Sequence, residues 1–265
     1  MDSTRRPPER GWGAALLQWW SGWWQVIEFG AQIWVLALSP SSYRPSQRRK
    51  MLHGIYAATR PMLPSFTLFS AIVALVIIRI VVATALSYGL SRYALDVLVR
   101  TLVLELIPLS AALFAALRYA MPAGERVRRM RLAGEFETRL SAGFDTTRDT
   151  VLPRAVAGVF SVITLAALSS AITLVLAYVS LYGFSTWGIP GFTRTVGQIF
   201  NPVIVLIFGL KTLFLSLAVA VIPMVPTPAE GSGEVGWVNP DITRLARLLA
   251  AVLLIEMLSL VGNYY

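Results

Sequence analysis

The stretch AVAGVFSVITLAALSSAITLVLAYVSLYGFSTWGIPGFT, residues 155–193, contains 39 consecutive residues without Asp, Glu, Lys or Arg. Pro153-Arg154 precede this stretch and Arg194 follows it. A helix that crosses a bilayer needs roughly 20 apolar residues, so the stretch can hold one span and a turn beyond it. It predicts that the chain is a membrane protein.

The composition of the whole chain agrees with a membrane location. Of its 265 residues, 56% are hydrophobic and only 14% are charged, and the mean hydropathy is +0.65. Ordinary soluble domains carry roughly 25% charged residues. The chain has no cysteine and His53 is its single histidine, which excludes sulfur-ligated metals and histidine-based metal clusters. We therefore expect no metal site and no cofactor bound by this chain itself.

Apolar segments near residues 65–90, 93–119, 155–183, 195–225 and 245–263 predict five spanning helices, and hence an all-α integral membrane protein. Most of the 23 Lys and Arg residues lie before the first span, between the second and third, and before the fifth. This alternation explains the net charge of +9 as topogenic charge, so no nucleic-acid partner is expected. The positive-inside rule then places the N-terminus in the cytoplasm and the C-terminus outside.

Residues 1–63 are predicted to form a retained cytoplasmic region ahead of a membrane domain over residues 64–265. A helix is expected from about Ala14 to Leu38, and indoles favour the headgroup layer, so this helix should lie in the membrane interface. The alternative is a sixth, shallow span, since Glu28 is the only charged residue in this helix. The indoles that gather on one helical face belong to Trp19, Trp20, Trp23 and Trp24.

The connection between the second and third spans contains the densest charge in the chain. Pro122 and Gly124 stand at its start and Gly143 at its end, so residues 125–142 predict a cytoplasmic helix. Such a helix would need a partner or a headgroup surface. The composition is equally compatible with a solvated loop that only sets the topology.

Several motifs resemble, in their order and spacing, the MlaE/YrbE family of ABC-transporter permeases. That family has a Glu-Leu-Gly-Pro segment in the second span, an Arg at its cytoplasmic end, then a coupling helix, a Gly-x-Asp-Pro-x-Arg segment and a Pro-Arg pair. The matching residues are Leu104-Glu105-Leu106-Ile107-Pro108, Arg118, Gly143, Asp145, Arg148 and Pro153-Arg154.

Two more positions carry the resemblance, and others depart from it. Leu210-Lys211-Thr212 resembles the family's Leu-Lys-Ser in the fourth span, and Glu256 stands where the family usually has Asp. Leu104 replaces an Arg, Thr146 replaces the Pro of Asp-Pro, and the Cys-x-x-Gly that ends the fourth span is missing. The chain therefore resembles a divergent member.

The resemblance implies a subunit of a lipid transporter in the bacterial inner membrane. Two permeases would sit side by side, as a homodimer or as a heterodimer with a sister permease. Cytoplasmic ABC ATPases would bind ATP and dock on the coupling helices, and a periplasmic MCE-domain protein would carry phospholipid or a related lipid. The chain lacks a Gly-x-x-x-x-Gly-Lys-Ser/Thr phosphate-binding loop, so it is expected to be a permease and not an enzyme.

Charged residues inside the predicted spans should face the bundle interior and pair, because a charge in hydrocarbon is costly. Depths counted along the helices suggest that Arg79, Arg100 and Glu105 form one cluster. This cluster would either brace the first two spans or contact an anionic lipid headgroup. Lys211 and Glu256, each near the middle of its span, are expected to form a second pair.

The cytoplasmic connection should carry the contacts to the ATPase. We expect Glu125, Arg131, Glu137 and Asp145 to make these contacts, while Gly143 shapes the return into the third span. Two alternatives to a permease stay open on the sequence. One is a lipid-modifying membrane enzyme, although no catalytic constellation is apparent. The other is a non-transporting scaffold whose basic faces hold anionic lipid and proteins.

Overall fold

The computed structural model describes residues 12–40, 45–226 and 240–264, and this part of the chain is helical with no strand. The all-α prediction is confirmed. In chain order the α-helices are α1 Trp12–Leu38, α2 Pro45–Thr59, α3 Met62–Ser87, α4 Ser91–Leu98, α5 Ile107–Ala115, α6 Met121–Leu132, α7 Glu135–Ser141, α8 Leu152–Tyr182, α9 Ile189–Ile199, α10 Pro202–Val221 and α11 Pro240–Tyr264.

Five helical segments of the described chain are long and apolar enough to cross a membrane, as predicted. Helix α1 is not one of them. We call the end of the bundle that carries residues 121–151 the basic end. The turns at Gly89 and Gly183 lie at the opposite end, each with φ of +68°. The spanning segments are Gln47–Ser87, Tyr93–Leu132, Thr147–Tyr182, Pro202–Met224 and Asp241–Asn263.

The second span is longer than predicted and contains two wide turns. It is helical without interruption from residue 91 to residue 132, with π-helical segments at Val99–Leu106 and Ala116–Ala120. The first segment leads directly into Ile107-Pro108 at the start of α5. Proline lacks an N–H and its ring crowds the preceding turn, and a local change to π geometry accommodates such a residue inside a helix.

The predicted coupling helix at 125–142 is two helices. Its first part is α6, which continues the second span to Leu132. The chain then turns at Gly134, whose φ of +70° is in the left-handed region that favours glycine, and the short α7 follows. The prediction of one separate helix was wrong because Gly134 breaks it and the α6 part never separates from the span.

The fourth span also begins later than the predicted residue 195. Helix α9 ends at Ile199, and α10 begins at Pro202. Asn201 caps the new helix, because its Oδ1 accepts a hydrogen bond of 2.9 Å from the Ile204 N–H. Proline suits a first helical position, so Asn201-Pro202 starts a helix where the apolar pattern alone suggested continuity.

Small residues hold the spans close together. A run of alanines in the second span is fully buried against α8 and α10. A Cβ at Gly158 would lie 3.3 Å from the Ala220 Cβ, and a Cβ at Gly124 would lie 2.2 Å from the Pro223 carbonyl oxygen. Small residues permit this close approach, which is the usual way for membrane helices to pack.

Helices α1 and α2 pack on the basic end of the bundle. Phe29 and Ile33 of α1 are buried against residues at the end of α10. Trp23 packs against the main core, whereas Trp20 and Trp24 are exposed, so the indoles do not share one environment. The side chain of Trp19 lies outside the described part of the structure.

Helix α2 lies along the first half of α8. Thr59 and Ser161 share a hydrogen bond of 2.9 Å, and the Gln47 amide donates to Asp149. Only Arg60-Pro61 separate α2 from the first spanning helix α3. Helix α2 is therefore held to the third span and is connected to α3 by only two residues.

Candidate functional site

A polar cluster joins three of the spanning segments, and we call Glu105, Lys211, Glu256 and Asn263 the intramembrane cluster. Lys211 of the fourth span is buried, and its Nζ donates to the carboxylate of Glu105 in the second span. The same Nζ donates to Glu256 Oε1 of the fifth span at 2.9 Å. Asn263 donates to Glu105 Oε1 at 2.8 Å. One ammonium group therefore ties the second, fourth and fifth spans together.

All three N–H donors of the Lys211 ammonium group have an acceptor. An ammonium group has three donors, and Lys211 directs them to Glu105, to Glu256 and to the Leu104 carbonyl oxygen, 3.2 Å away. Two acceptors, Glu256 Oε2 and Asn263 Oδ1, are buried without a hydrogen-bond partner in the described structure. The cluster thus holds one cation against two carboxyl groups, with acceptor capacity left over.

The structure does not bring together the predicted cluster of Arg79, Arg100 and Glu105. Arg100 binds Asp96, one helical turn away, with its Nε 3.1 Å from Asp96 Oδ2. Arg79 is exposed on α3. Glu105 instead faces Lys211, so the two groups expected as separate clusters share one carboxylate. Spacing along a helix indicates the depth of a residue in the membrane, but depth does not fix which face of a helix meets which neighbour.

Two signals in the sequence point to the observed pairs. Asp96 and Arg100 are four residues apart, which places them on the same helical face. Lys211 is the only lysine in the chain besides Lys50, and a single deeply placed ammonium beside two carboxylates on other spans is expected to attract both. Asn263 carries no comparable signal, because an asparagine has no charge that would predict an ionic partner.

The second region of interest is the basic-end segment, residues 121–146, which contains the five predicted ATPase-coupling residues: the four predicted contacts and Gly143. Glu125 is only 23% exposed and is engaged within the chain. Its carboxylate accepts from Arg128 at 2.8 Å and Arg129 at 2.9 Å, and Arg244 of α11 approaches to 3.9 Å. Glu125 therefore fixes α6 internally and joins it to the start of the fifth span.

Arg131 is also engaged within the chain. Its guanidinium donates to the Met224 carbonyl oxygen at 2.9 Å, where the fourth span ends. It also lies over two aromatic rings, 5.8 Å from the centroid of Phe29 in α1 and 5.3 Å from that of Phe136 in α7. Arg131 therefore connects α6 to α1, to α7 and to the fourth span at once.

The other three predicted coupling residues lie on the surface. Glu137, Gly143 and Asp145 are all exposed. Gly143 has φ of +82°, so a residue with a side chain would be strained at the turn after α7. Whether any of the five residues touches an ATPase remains a prediction, and the geometry makes the exposed residues the better candidates.

Large apolar side chains accompany these exposed charges. Leu132, Leu140 and Phe144 are 55%, 70% and 59% exposed. They lie in and around α7, none of whose residues is buried. A short helix with so little burial has little to stabilise it in isolation, and exposed apolar residues beside charges are typical of a protein-binding surface.

An open groove runs beside this surface, with a volume of about 550 Å³. One wall comes from α1 and includes Glu28, Gln32 and Leu36, and the other includes Asp145 and Thr147. Helix α1 therefore borders the same surface as the return into the third span. A partner that docks on residues 132–146 would meet α1 as well.

Comparison with known protein families identifies one match. The family described as Permease MlaE matches residues 51–237, which is more than half of the 265-residue chain. The match includes the whole basic-end segment and both Glu105 and Lys211. No curated protein sequence matched the chain.

Proposed function

Because the chain belongs to the MlaE permease family, we propose that it is the transmembrane subunit of an ABC transporter that moves phospholipid or a related lipid. The lipid would pass between the bacterial inner membrane and a periplasmic MCE-domain carrier. ATP would be bound and hydrolysed by separate cytoplasmic ATPase subunits, and this chain would have no ATPase site. In this arrangement the basic end faces the cytoplasm, in keeping with the positive-inside rule.

The observation that carries the proposal is the family match over residues 51–237. The surface at the basic end supports it independently. Leu132, Leu140 and Phe144 are exposed beside Glu137 and Asp145. Apolar side chains with a charged surround fit a protein partner, and a coupling ATPase is the partner that a permease requires at this end.

The structure suggests how a movement of this surface would reach the membrane. Helix α6 is continuous with the second span, so a displacement of α6 acts on that span without an intervening loop. Gly124 and Arg131 hold α6 against residues 222–224, at the end of the fourth span. Deeper in the bilayer, Lys211 joins the second and fourth spans to the fifth.

We therefore propose a mechanical role for these contacts. Closure of the ATPase pair on ATP binding would push on the basic-end segment, and the second and fourth spans would move together. A lipid-sized cavity between two permeases would change shape as a result. The second permease would be another copy of this chain or a sister subunit.

Purification of the chain from its native membrane in mild detergent, with mass spectrometry of proteins and lipids, tests this function. We expect an ABC ATPase, an MCE-domain protein and retained phospholipid. Recovery of the chain without an ATPase, under conditions in which other ABC transporters from the same membrane stay intact, would contradict the proposal and favour a scaffold. Conversion of a retained lipid into a new product by the chain alone would favour a lipid-modifying enzyme.

A further inference from the structure

Arg79 is an exposed cation in an apolar membrane surface. It lies in α3, within the candidate span Gln47–Ser87. Its neighbours on the outward face, Ile72, Val76 and Ile80, are 58%, 51% and 59% exposed. The opposite face of the same helix packs into the protein through Ala74 and Ile78. Arg79 therefore points away from the bundle.

An arginine at this depth is not stable without an anionic partner. A charge in the hydrocarbon of a bilayer costs several kcal/mol, so intramembrane arginines pair or reach the headgroup layer. No hydrogen bond or ion pair joins Arg79 to any residue in the described part of the chain. Its partner must therefore come from outside the described part of the chain.

The described part of a second copy of the chain offers no unpaired carboxylate at the depth of Arg79. Three of the described acidic residues lie within spanning segments and away from the basic end. Asp96 is paired with Arg100, and Glu105 and Glu256 share Lys211. The remaining described acidic residues lie in α1 or at the basic end. Charge complementarity therefore favours an anion of the membrane itself.

We infer that Arg79 binds the phosphate group of a membrane phospholipid on the outer surface of the first span. Arg79 lies eight positions before Ser87, the last residue of α3, which is about 12 Å at 1.5 Å per residue. The long arginine side chain covers part of this distance. A guanidinium can also hold a phosphate through two parallel hydrogen bonds.

The direction of the side chain adds a detail. In a helix, Cα–Cβ bonds tilt toward the N-terminus, which for α3 is the basic end, so the Arg79 side chain must bend back to approach the headgroups beside Ser87 and cannot cover the whole distance. The phosphate bound by Arg79 therefore lies deeper in the bilayer than the surrounding headgroups. This site goes beyond the proposed function, because a phospholipid held here need not be the transported molecule.

Two substitutions and a matched control test the inference. Arg79→Leu removes the charge from a lipid-facing position, so the helix should still insert and fold. Arg79→Lys keeps the charge but loses the two-pronged geometry. Arg194→Leu removes an exposed arginine of α9, outside the candidate spans, and serves as the control. Each full-length variant is delipidated, mixed with phosphatidylglycerol vesicles and assayed by native mass spectrometry for bound phospholipid.

We expect Arg79→Leu to lose one tightly bound phospholipid, Arg79→Lys to bind it more weakly, and Arg194→Leu to match the wild type. Excess inorganic phosphate should not displace the lipid, since the acyl chains add to its binding. Equal phospholipid binding by Arg79→Leu and wild type would overturn the inference. Displacement by inorganic phosphate would assign the site to a free anion. A changed oligomeric state with unchanged phospholipid would assign Arg79 to a protein contact.

Discussion

The intramembrane cluster and the basic-end segment are both rich in charge, but they use it in opposite ways. In the cluster, Lys211 is buried and contacts residues more than 40 positions away in sequence. In the basic-end segment, Glu125 binds arginines three and four residues along its own helix, while Glu137 and Asp145 are exposed. All the charge of the cluster joins spans within the protein, whereas the basic end also carries exposed charge, at Glu137 and Asp145, that is available to a partner.

The largest expected effect comes from removal of the cation at the centre of the cluster. Lys211→Met should leave two carboxyl groups facing each other in the membrane, and breaking a buried ion pair costs about 3–5 kcal/mol. We expect a strongly lowered midpoint of thermal unfolding in detergent. The triple variant Lys211→Met, Glu105→Gln, Glu256→Gln should recover much of the loss, because it leaves no unpaired charge. A single variant as stable as the wild type would refute this bracing role.

The next effect concerns the contact between α6 and the end of the fourth span, which we propose transmits movement from the basic-end segment. In Gly124→Ala, the new Cβ would lie 2.2 Å from the Pro223 carbonyl oxygen, so α6 has to move away from the end of the fourth span. Overpacking of this kind costs about 1–3 kcal/mol. The midpoint of thermal unfolding and the rate of ATP-driven transport should both fall.

Gly209→Ala is the matched control for this substitution. Nothing lies within 4 Å of a Cβ placed at Gly209, which also belongs to a helix. Its stability should equal or exceed that of the wild type, because alanine favours a helix over glycine. Equal unfolding midpoints and transport rates for Gly124→Ala and Gly209→Ala would show that the tight contact at Gly124 affects neither stability nor transport.

A smaller loss is expected at Arg131, where the basic-end segment is attached to the bundle. Arg131→Leu removes the hydrogen bond to the Met224 carbonyl oxygen and both aromatic contacts, together worth about 1–3 kcal/mol. Limited proteolysis should cut around α7 faster than in the wild type. Arg129→Leu, whose side chain is 75% exposed, should be cut at the wild-type rate. Equal protection of all three proteins would place the attachment elsewhere.

The smallest effect on stability, and a large effect on assembly, is expected at Glu137. Its side chain is exposed, so Glu137→Lys should leave thermal unfolding almost unchanged. Reversal of a charge at a docking surface should nevertheless reduce the amount of ATPase that co-purifies. Arg194→Glu, a reversal at the opposite end, provides the control. Unchanged ATPase recovery in Glu137→Lys would remove this residue from the interface.

The fold could be predicted from the sequence where apolar length alone decides it. Five spans are visible as long apolar runs, and the described part of the chain contains five helical segments long and apolar enough to cross a membrane. The errors lie where one or two residues decide. Asn201-Pro202 start a new helix within an apolar run, and Gly134 breaks a helix within a charged run.

The site was harder to predict because it depends on which helix faces meet. Lys211 and Glu256 were expected together and do contact each other. Glu105 was assigned to Arg79 and Arg100 by depth, yet it faces Lys211 in the structure. Sequence spacing gives the level of a residue in the membrane, whereas the neighbouring helix is decided by packing of the whole bundle. The local pair of Asp96 and Arg100 shows that short-range spacing would have corrected part of the error.

The most direct test of the account is lipid transfer by the reconstituted complex. The chain, the proposed ATPase and the proposed MCE-domain carrier would be reconstituted with vesicles that contain a fluorescent phospholipid. Transfer between vesicle and carrier would be followed with and without ATP. The account predicts ATP-dependent transfer that is lost when this chain is omitted and reduced in Gly124→Ala. ATP-dependent transfer at the same rate without the chain would contradict the account. So would the absence of transfer by the intact complex with every phospholipid tested.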